Sequence, residues 1–216
     1  MSTTARRLGA ETSKTRGVLL DAAEKLMLEE GYAAVTSRRL AARAGLKPQL
    51  VHYYFRTMDD LFLAAFRRRA EQGLERQVRA QTSPQPLWAL WDLSRDQRGT
   101  ALTMEFTALA NHRKSIRAEL SASAERYRAA LLEGFRSALA RDEIDQTAYP
   151  PIVCAVLMTS ISTFLVIEEA MLGMSTGHEE TIAFVEDLIR RVEGDRQDAA
   201  ADVASVRPIK AEERQR

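Results

Sequence analysis

Apolar residues in this chain recur three and four positions apart, and turn-forming residues fall between the runs. Val18, Leu19, Ala22, Ala23, Leu26 and Met27 form one such run. Ile116, Leu120, Tyr127, Leu131, Phe135 and Leu139 form another, and Ile182, Val185, Leu188, Ile189 and Val192 a third. That period draws a continuous stripe along one side of an α-helix, whereas a strand would scatter the same residues over both faces. Ala, Leu, Arg and Glu dominate, which favours helices, and glycine and proline are few and punctuate the runs. The expected fold class is all-α, with about nine helices: a three-helix N-terminal unit and a larger helical body. A chain of 216 residues with 45% apolar content can bury a proper core.

Two short runs near the start depart from the long-helix pattern. Thr36-Ser-Arg-Arg-Leu-Ala-Ala-Arg-Ala44 is followed by Gly45, then by Leu-Lys-Pro-Gln-Leu-Val-His-Tyr-Tyr-Phe55. Glycine reaches the backbone conformations that a tight helix-to-helix corner needs. Pro48 suits the first turn of a new helix, where its missing N–H costs nothing. The layout is a helix-turn-helix. Thr36 or Ser37 is a good cap for its first helix, and Leu40, Ala41 and Ala44 face inward. On the second helix Lys47, Gln49, His52 and Tyr53 lie outward. Leu46, Leu50, Val51, Tyr54 and Phe55 supply the buried side and its edges. A short helix presenting Lys, Gln, His and Tyr is what a major groove accepts. At the start of the preceding helix a hydroxyl and free N–H groups favour a phosphate, within reach of Arg38. A first helix over about Thr15 to Glu30, ended by Gly31, completes the head, with Tyr32 and Val35 closing its core. Residues 1–13 lack periodicity and read as a disordered basic arm.

Charge is distributed unevenly. The net charge is +1, yet residues 1–58 hold ten Lys/Arg against five Asp/Glu, leaving 21 against 25 for the remainder. A basic head on an acidic body fits a polyanion held at one end. The single Cys154 excludes an internal disulfide and suits a reducing, cytoplasmic compartment. The N-terminus is polar, so no signal peptide is expected. Ile152 to Ile167 is broken by hydroxyl residues and short for a bilayer, so a buried helix is expected and no membrane partner.

The run Thr15-Arg16, Leu20-Asp-Ala-Ala-Glu24, Glu30-Gly-Tyr32, Thr36-Ser-Arg-Arg-Leu-Ala41, Ala44-Gly-Leu46, Val51-His-Tyr-Tyr-Phe55 and Asp59-Asp-Leu61 resembles the DNA-binding domain of the TetR family of bacterial transcriptional regulators. The resemblance covers residues 14–63 and rests on many ordered positions. It implies backbone and base contacts at Ser37 and Arg38, groove contacts at Pro48, Gln49 and His52, and phosphate contacts at Tyr53 and Tyr54. Thr36, Lys47 and Arg56 complete the expected DNA-contact set. The chain departs from the family at Met58, where a phosphate-binding Lys is common, and Arg56 is the candidate replacement. His52 stands where Tyr is usual, and Leu50 where a small hydroxyl residue is common, which places an apolar contact near a thymine methyl.

Beyond the head, Thr57 caps a fourth helix opened by Asp59 and Asp60. Leu61, Phe62, Ala65 and Phe66 give it an apolar face, and Arg67, Arg68 and Arg69 read as a solvated one. Thr82-Ser-Pro-Gln-Pro86 separates helices. Trp88 and Trp91 share one helix side, as core or as the aromatic wall of a ligand cavity. Candidate cavity residues are Trp88, Trp91, Leu102, Met104, Glu105, Phe106, Leu109, Tyr127, Leu131, Met158 and Phe164, and a hydrophobic small-molecule effector is the default. A final hairpin, from about Ala148 to Leu172 and from about Glu179 to Val192, is apolar on more than one side and so reads as a homodimer seam. Its candidates are Ile161, Phe164, Leu165, Glu168, Ile182, Val185, Leu188 and Ile189. The expected organisation is an arm to residue 13, a DNA-binding head over 14–58, a ligand-binding and dimerisation body over 59–193, and a disordered tail over 194–216.

Enzymatic chemistry has little support. His52, His112 and His178 lack metal-ligand spacing with Cys154, so no metal or other cofactor is expected. Gly173-Met-Ser-Thr-Gly177 lacks the Lys of a phosphate loop, and no nucleophile elbow is present. The reading is therefore a ligand-responsive regulator, a repressor, that binds a palindromic double-stranded DNA operator as a homodimer. The alternative is a helical small-molecule-binding protein or enzyme whose head is an interaction module.

Overall fold

The computed structural model describes residues 3–197, with side chains from Lys14 onward. Nine α-helices occupy the described residues and no strand does: α1 (Thr3–Glu30), α2 (Ser37–Ala44), α3 (Pro48–Tyr54), α4 (Met58–Gln81), α5 (Pro86–Ser94), α6 (Gln97–Ala110), α7 (Lys114–Arg141), α8 (Pro151–Ile167) and α9 (His178–Glu193). Helix α1 begins well before Thr15 and takes in residues assigned by sequence to an arm. The expected tail lies, from residue 198 on, outside the described residues. Glycine does not only punctuate: Gly17, Gly73, Gly99 and Gly134 lie inside helices.

The head is built from local rules. Gly31 takes φ +81° and stops α1, and a single 3-10 turn over Tyr32–Ala34 leads to α2. Of the two candidate caps, Thr36 is used, its hydroxyl accepting the Arg39 N–H at 3.4 Å. At the other end Gly45 adopts φ +66°. Its N–H donates to the Ala42 carbonyl at 3.2 Å, and the Leu46 N–H donates to the Ala41 carbonyl at 2.9 Å. That paired pattern is a Schellman close, which needs a left-handed residue at this one position. Pro48 opens α3. Helix α4 starts on a capping box: Asp60 N–H donates to the Thr57 hydroxyl at 3.1 Å and Thr57 N–H to the Asp60 carboxylate at 3.0 Å.

Two hydrophobic cores divide the chain, and the first crosses residue 58. The first joins Leu19, Leu26, Leu40, Val51 and Phe55 of the head to Leu61, Phe62 and Phe66 of α4, and also to Leu102, Phe106 and Leu109 of α6. The second lies at the far end and joins Trp88 and Trp91 of α5, Leu131 and Phe135 of α7, Met158 and Leu165 of α8, and Val185 and Ile189 of α9. Glu193, at the end of α9, accepts the Leu87 N–H at 2.9 Å and the Trp88 N–H at 3.2 Å, and meets Arg141 at 3.2 Å. One carboxylate thus caps α5 and ties it to α7 and α9.

Helix α8 is less buried than its composition suggests. Pro151–Leu172 is long and apolar enough to cross a membrane by length and composition, and only 28% of its most apolar window is buried. Ala155, Met158, Ser162 and Leu165 face the core, and the opposite side is open. The helix ends in a wider π turn over Glu168–Leu172, closed by Gly173 at φ +65°.

Candidate functional site

The head presents one polar face. Lys47, the N-cap of α3, and Pro48, Gln49 and His52 within it are exposed, and Tyr53 is 74% exposed. Tyr54 is half-buried and meets Tyr53 edge to face, with ring centroids 5.1 Å apart. Leu50 is half-buried, and Val51 and Phe55 anchor the helix in the head core. Beside this face lie exposed Thr36 and Arg38, half-buried Ser37 and exposed Arg56. The basic charge of the head is not all available. Arg39 pairs with Glu30 and Arg43 with Glu29, clipping α2 to α1. Arg16 stacks over the Phe55 ring at 5.3 Å. Arg38, Lys47 and Arg56 make no ion pair among the described residues, and Lys47 and Arg56 stand at the two ends of α3. An exposed helix whose outward side chains donate and accept, bordered by unpaired cations, has the chemistry of a groove reader.

The body contains a cavity of about 430 Å³ between α4, α6, α7 and α8. Its apolar wall includes Phe66, Leu74, Met104, Phe106 and Leu120. Its polar wall is built around Asp96, the N-cap of α6, whose carboxylate accepts the Gly99 N–H at 3.0 Å and an Arg76 N–H at 2.9 Å. Burial pushes the Asp96 carboxyl up, but the Gly99 N–H and the Arg76 guanidinium outweigh it and hold the group below the usual carboxylate range. Arg69 stands 3.8 Å from the same carboxylate. Burial, and then the nearby Arg76, make Arg69 less basic than an ordinary arginine despite the attraction of Asp96. Tyr127 borders the cavity, and burial raises its phenol.

Of the cavity residues expected from sequence, Met104, Phe106 and Tyr127 line it. The others go elsewhere. Trp88 and Trp91 are buried in the second core, and their indole N–H groups donate to the Gly194 carbonyl and the Glu186 carboxylate, each at 3.2 Å. They dock α5 on α9. Leu131 and Met158 pack beside them. Leu102 and Leu109 belong to the first core. Glu105 faces the head, where it accepts the Tyr32 N–H at 2.6 Å. Phe164 is exposed. The triplet read as a solvated face splits three ways. Arg67 pairs with Glu119 on the surface, Arg68 with Asp21 and Glu24 of α1, and Arg69 turns into the cavity. Sequence offered a signal for Arg69: it lies one helical turn after Phe66, on the apolar side of α4.

The expected seam residues also separate. Leu165, Val185 and Ile189 are buried in the chain's own second core, and Ile161 and Ile182 pack against it. Glu168 Oε2 meets His178 Nε2 at 2.9 Å, bracing the hairpin. Phe164 and Leu188 are exposed, in the company of Val153, Leu157 and Phe184, which sequence did not single out. Val153, Leu157 and Phe164 form a stripe opposite the buried one, the mark of a helix apolar all round. Among the described residues no three His, Cys, Asp or Glu side chains gather to hold a metal ion.

Similarity to known proteins agrees with this geometry. The sequence profile of bacterial regulatory proteins, tetR family, matches residues 19–65. The HTH-type transcriptional regulator BetI of Rhizobium meliloti (strain 1021) is 29% identical over 142 residues, covering 62% of this chain and 70% of that protein. A TetR transcription regulator from Haloarcula marismortui superposes with a TM-score of 0.67 at 19% identity, over 83% of this chain and 98% of that one. FadR from Bacillus subtilis, solved with stearoyl-CoA, superposes with a TM-score of 0.58 at 16% identity, over 83% and 98% respectively. The matched head and the shared helical architecture lead to one conclusion: residues 19–65 are similar to the head of bacterial regulatory proteins of the tetR family, and the chain has a TetR-like all-α fold.

Proposed function

We propose that this regulator is a cytoplasmic homodimeric repressor that releases a palindromic operator when a small molecule fills the cavity between α4, α6, α7 and α8. The observation that carries the reading is the placement of that cavity. It is walled by α4, and the N-terminal turns of the same helix hold Leu61, Phe62 and Ala65 in the head core. Whatever fills the cavity therefore pushes on an element that shares a hydrophobic core with the groove-reading helix. A ligand acts only if it favours one head placement over the other, so the coupling needs such a shared element.

The contacts assigned are Thr36, Ser37, Tyr53, Tyr54 and Arg56 to phosphates, and Arg38, Lys47, Pro48, Gln49 and His52 to the groove. The dimer is assigned to the open faces of α8 and α9, where Phe164 is 59% and Phe184 63% exposed. A two-helix face of this kind pairs with its own copy in a four-helix arrangement. Two heads would then sit about 34–36 Å apart, one turn of DNA, on a symmetric site. Selection of bound fragments from random duplex DNA tests the reading. It expects an inverted repeat with half-sites about one turn apart; enrichment of single, unpaired sites would contradict it.

A further inference from the structure

We propose that the cavity receives an amphipathic organic anion, a carboxylate carried on an apolar chain or ring, with Arg69 as its receptor. The inference rests on the effector reading above and narrows it to one charge class.

Arg69 is a cation without a finished set of partners. Its side chain is only 18% exposed, and it lines the cavity. It makes no hydrogen bond among the described residues, and its nearest acid, Asp96, is 3.8 Å away. Asp96 is already occupied by the Gly99 N–H and by Arg76. A guanidinium offers five N–H donors in a planar fork, and withdrawing it from water without acceptors is costly. A carboxylate is the shape that satisfies such a fork with two parallel hydrogen bonds.

The surroundings select the same sign. Four arginines line the cavity (Arg69, Arg76, Arg126 and Arg128) against two acids, Glu71 and Asp96. A cationic ligand would meet net repulsion, and a neutral one would leave Arg69 with only its long pair to Asp96. The backbone also makes room for this guanidinium. A Cβ at Gly99 would come within 2.6 Å of Arg69 Nη2 and of Asp96 Oδ2, so glycine lets the charged end lie against α6. Phe66 sits three residues before Arg69 on α4, and it meets Phe106 edge to face at 5.2 Å. Leu74, Met104 and Leu120 complete an apolar wall near the cation. A cavity of about 430 Å³ lies within the range of small-molecule sites. One charged end and one apolar wall describe a molecule with both.

The test uses the full chain, with three probes that share a dodecyl tail below their micelle concentrations: dodecanoate, dodecanol and dodecyltrimethylammonium. Calorimetry should show saturable binding of dodecanoate, dodecanol weaker by about tenfold or more, and no saturable binding of the cation. Arg69→Gln should weaken dodecanoate by about tenfold or more and leave dodecanol unchanged. Gly99→Ala keeps every charge and displaces the guanidinium, so it should weaken dodecanoate in the same direction, and it decides the matter if Arg69→Gln unfolds. Equal affinity for acid and alcohol, an unchanged dodecanoate affinity in both variants, or no saturable binding of dodecanoate would each overturn the proposal. Operator binding is read separately by anisotropy on the same preparations without probe. DNA binding that persists while dodecanoate fails removes the anion assignment alone, and loss of DNA binding in the unaltered protein strikes the regulator reading instead.

Discussion

Glu105 on α6 accepts the backbone N–H of Tyr32 at 2.6 Å, so the helix that walls the cavity also closes the turn between α1 and α2. Gly31, at φ +81°, lies beside the same carboxylate, where a Cβ would stand 3.6 Å from Oε2. Met104 and Phe106, the residues on either side of Glu105, line the cavity. Head and body are thus joined by a charge-assisted hydrogen bond as well as by α4.

Glu105→Ala leaves the Tyr32 N–H unpaired in a part-buried position. Removing one partner of such a bond costs about 1–3 kcal/mol. Urea unfolding should show that loss, with Glu105→Gln, which keeps a carbonyl acceptor, losing less. If α6 carries the coupling, Glu105→Ala also narrows the change in operator affinity that effector produces, while effector affinity itself stays. An unaltered response with full effector binding would place the coupling in α4 alone.

Groove and phosphate contacts predict different outcomes. Gln49→Ala and His52→Ala should each cost about 1–3 kcal/mol at the operator and relax selectivity at particular base pairs. Tyr53→Ala should lower affinity for all sequences, with little change in which base pairs are preferred. Arg56→Ala should reduce the slope of log affinity against log salt by about one unit. Anisotropy across a salt series, on operator and scrambled duplexes, separates the two patterns.

Gly45→Ala isolates the corner itself. The position has φ +66°, and a Cβ added there would meet nothing within 4 Å, so the only penalty is a side chain in the left-handed region. That is worth about 1 kcal/mol or somewhat more. A urea midpoint equal to that of the unaltered protein would mean the corner had relaxed to another conformation.

The open α8–α9 face predicts a dimer that charge can split. Phe164→Asp and Phe184→Asp place carboxylates on residues that are exposed in the protomer. Neither should unfold it, and together they should shift sedimentation from dimer to monomer. Operator affinity should fall with them, because two linked heads bind far more tightly than one.

Asp96 gives the body a pH signature. Its carboxyl is held below the ordinary range by the Gly99 N–H and Arg76, against the opposing effect of burial. A depressed value stabilises the fold above the unfolded carboxylate range, and the contribution disappears as pH falls through the folded value. The gap in urea midpoint between the unaltered protein and Asp96→Asn should be largest near neutrality and close on acidification.

The head was legible because its signals are local. A glycine after a short helix, a proline opening the next, and hydroxyl residues at two caps each act within a few residues of themselves. The exposure of Lys47, Gln49, His52 and Tyr53 follows from helix period alone. The cavity was not legible in the same way. Trp88 and Trp91 look like a ligand wall until Glu186, Glu193 and Gly194, 95 to 106 residues later, supply partners for their N–H groups. Arg67, Arg68 and Arg69 look alike in sequence, and only the placement of Glu119, α1 and Asp96 gives them three separate environments. Val153 and Leu157, which share the open stripe with Phe164, were not legible because α8 is apolar on every side, so periodicity could not say which side faces the core.

The central claim is that the outward face of α3 reads duplex DNA. The most direct measurement compares the unaltered protein with a Lys47→Ala, Gln49→Ala, His52→Ala triple variant on a selected operator and on a scrambled duplex. Those three side chains are exposed, so the variant should keep its unfolding midpoint. The account predicts that the preference for operator over scrambled DNA collapses by about a hundredfold or more. A correctly folded triple variant that still preferred the operator as strongly as the unaltered protein would contradict it.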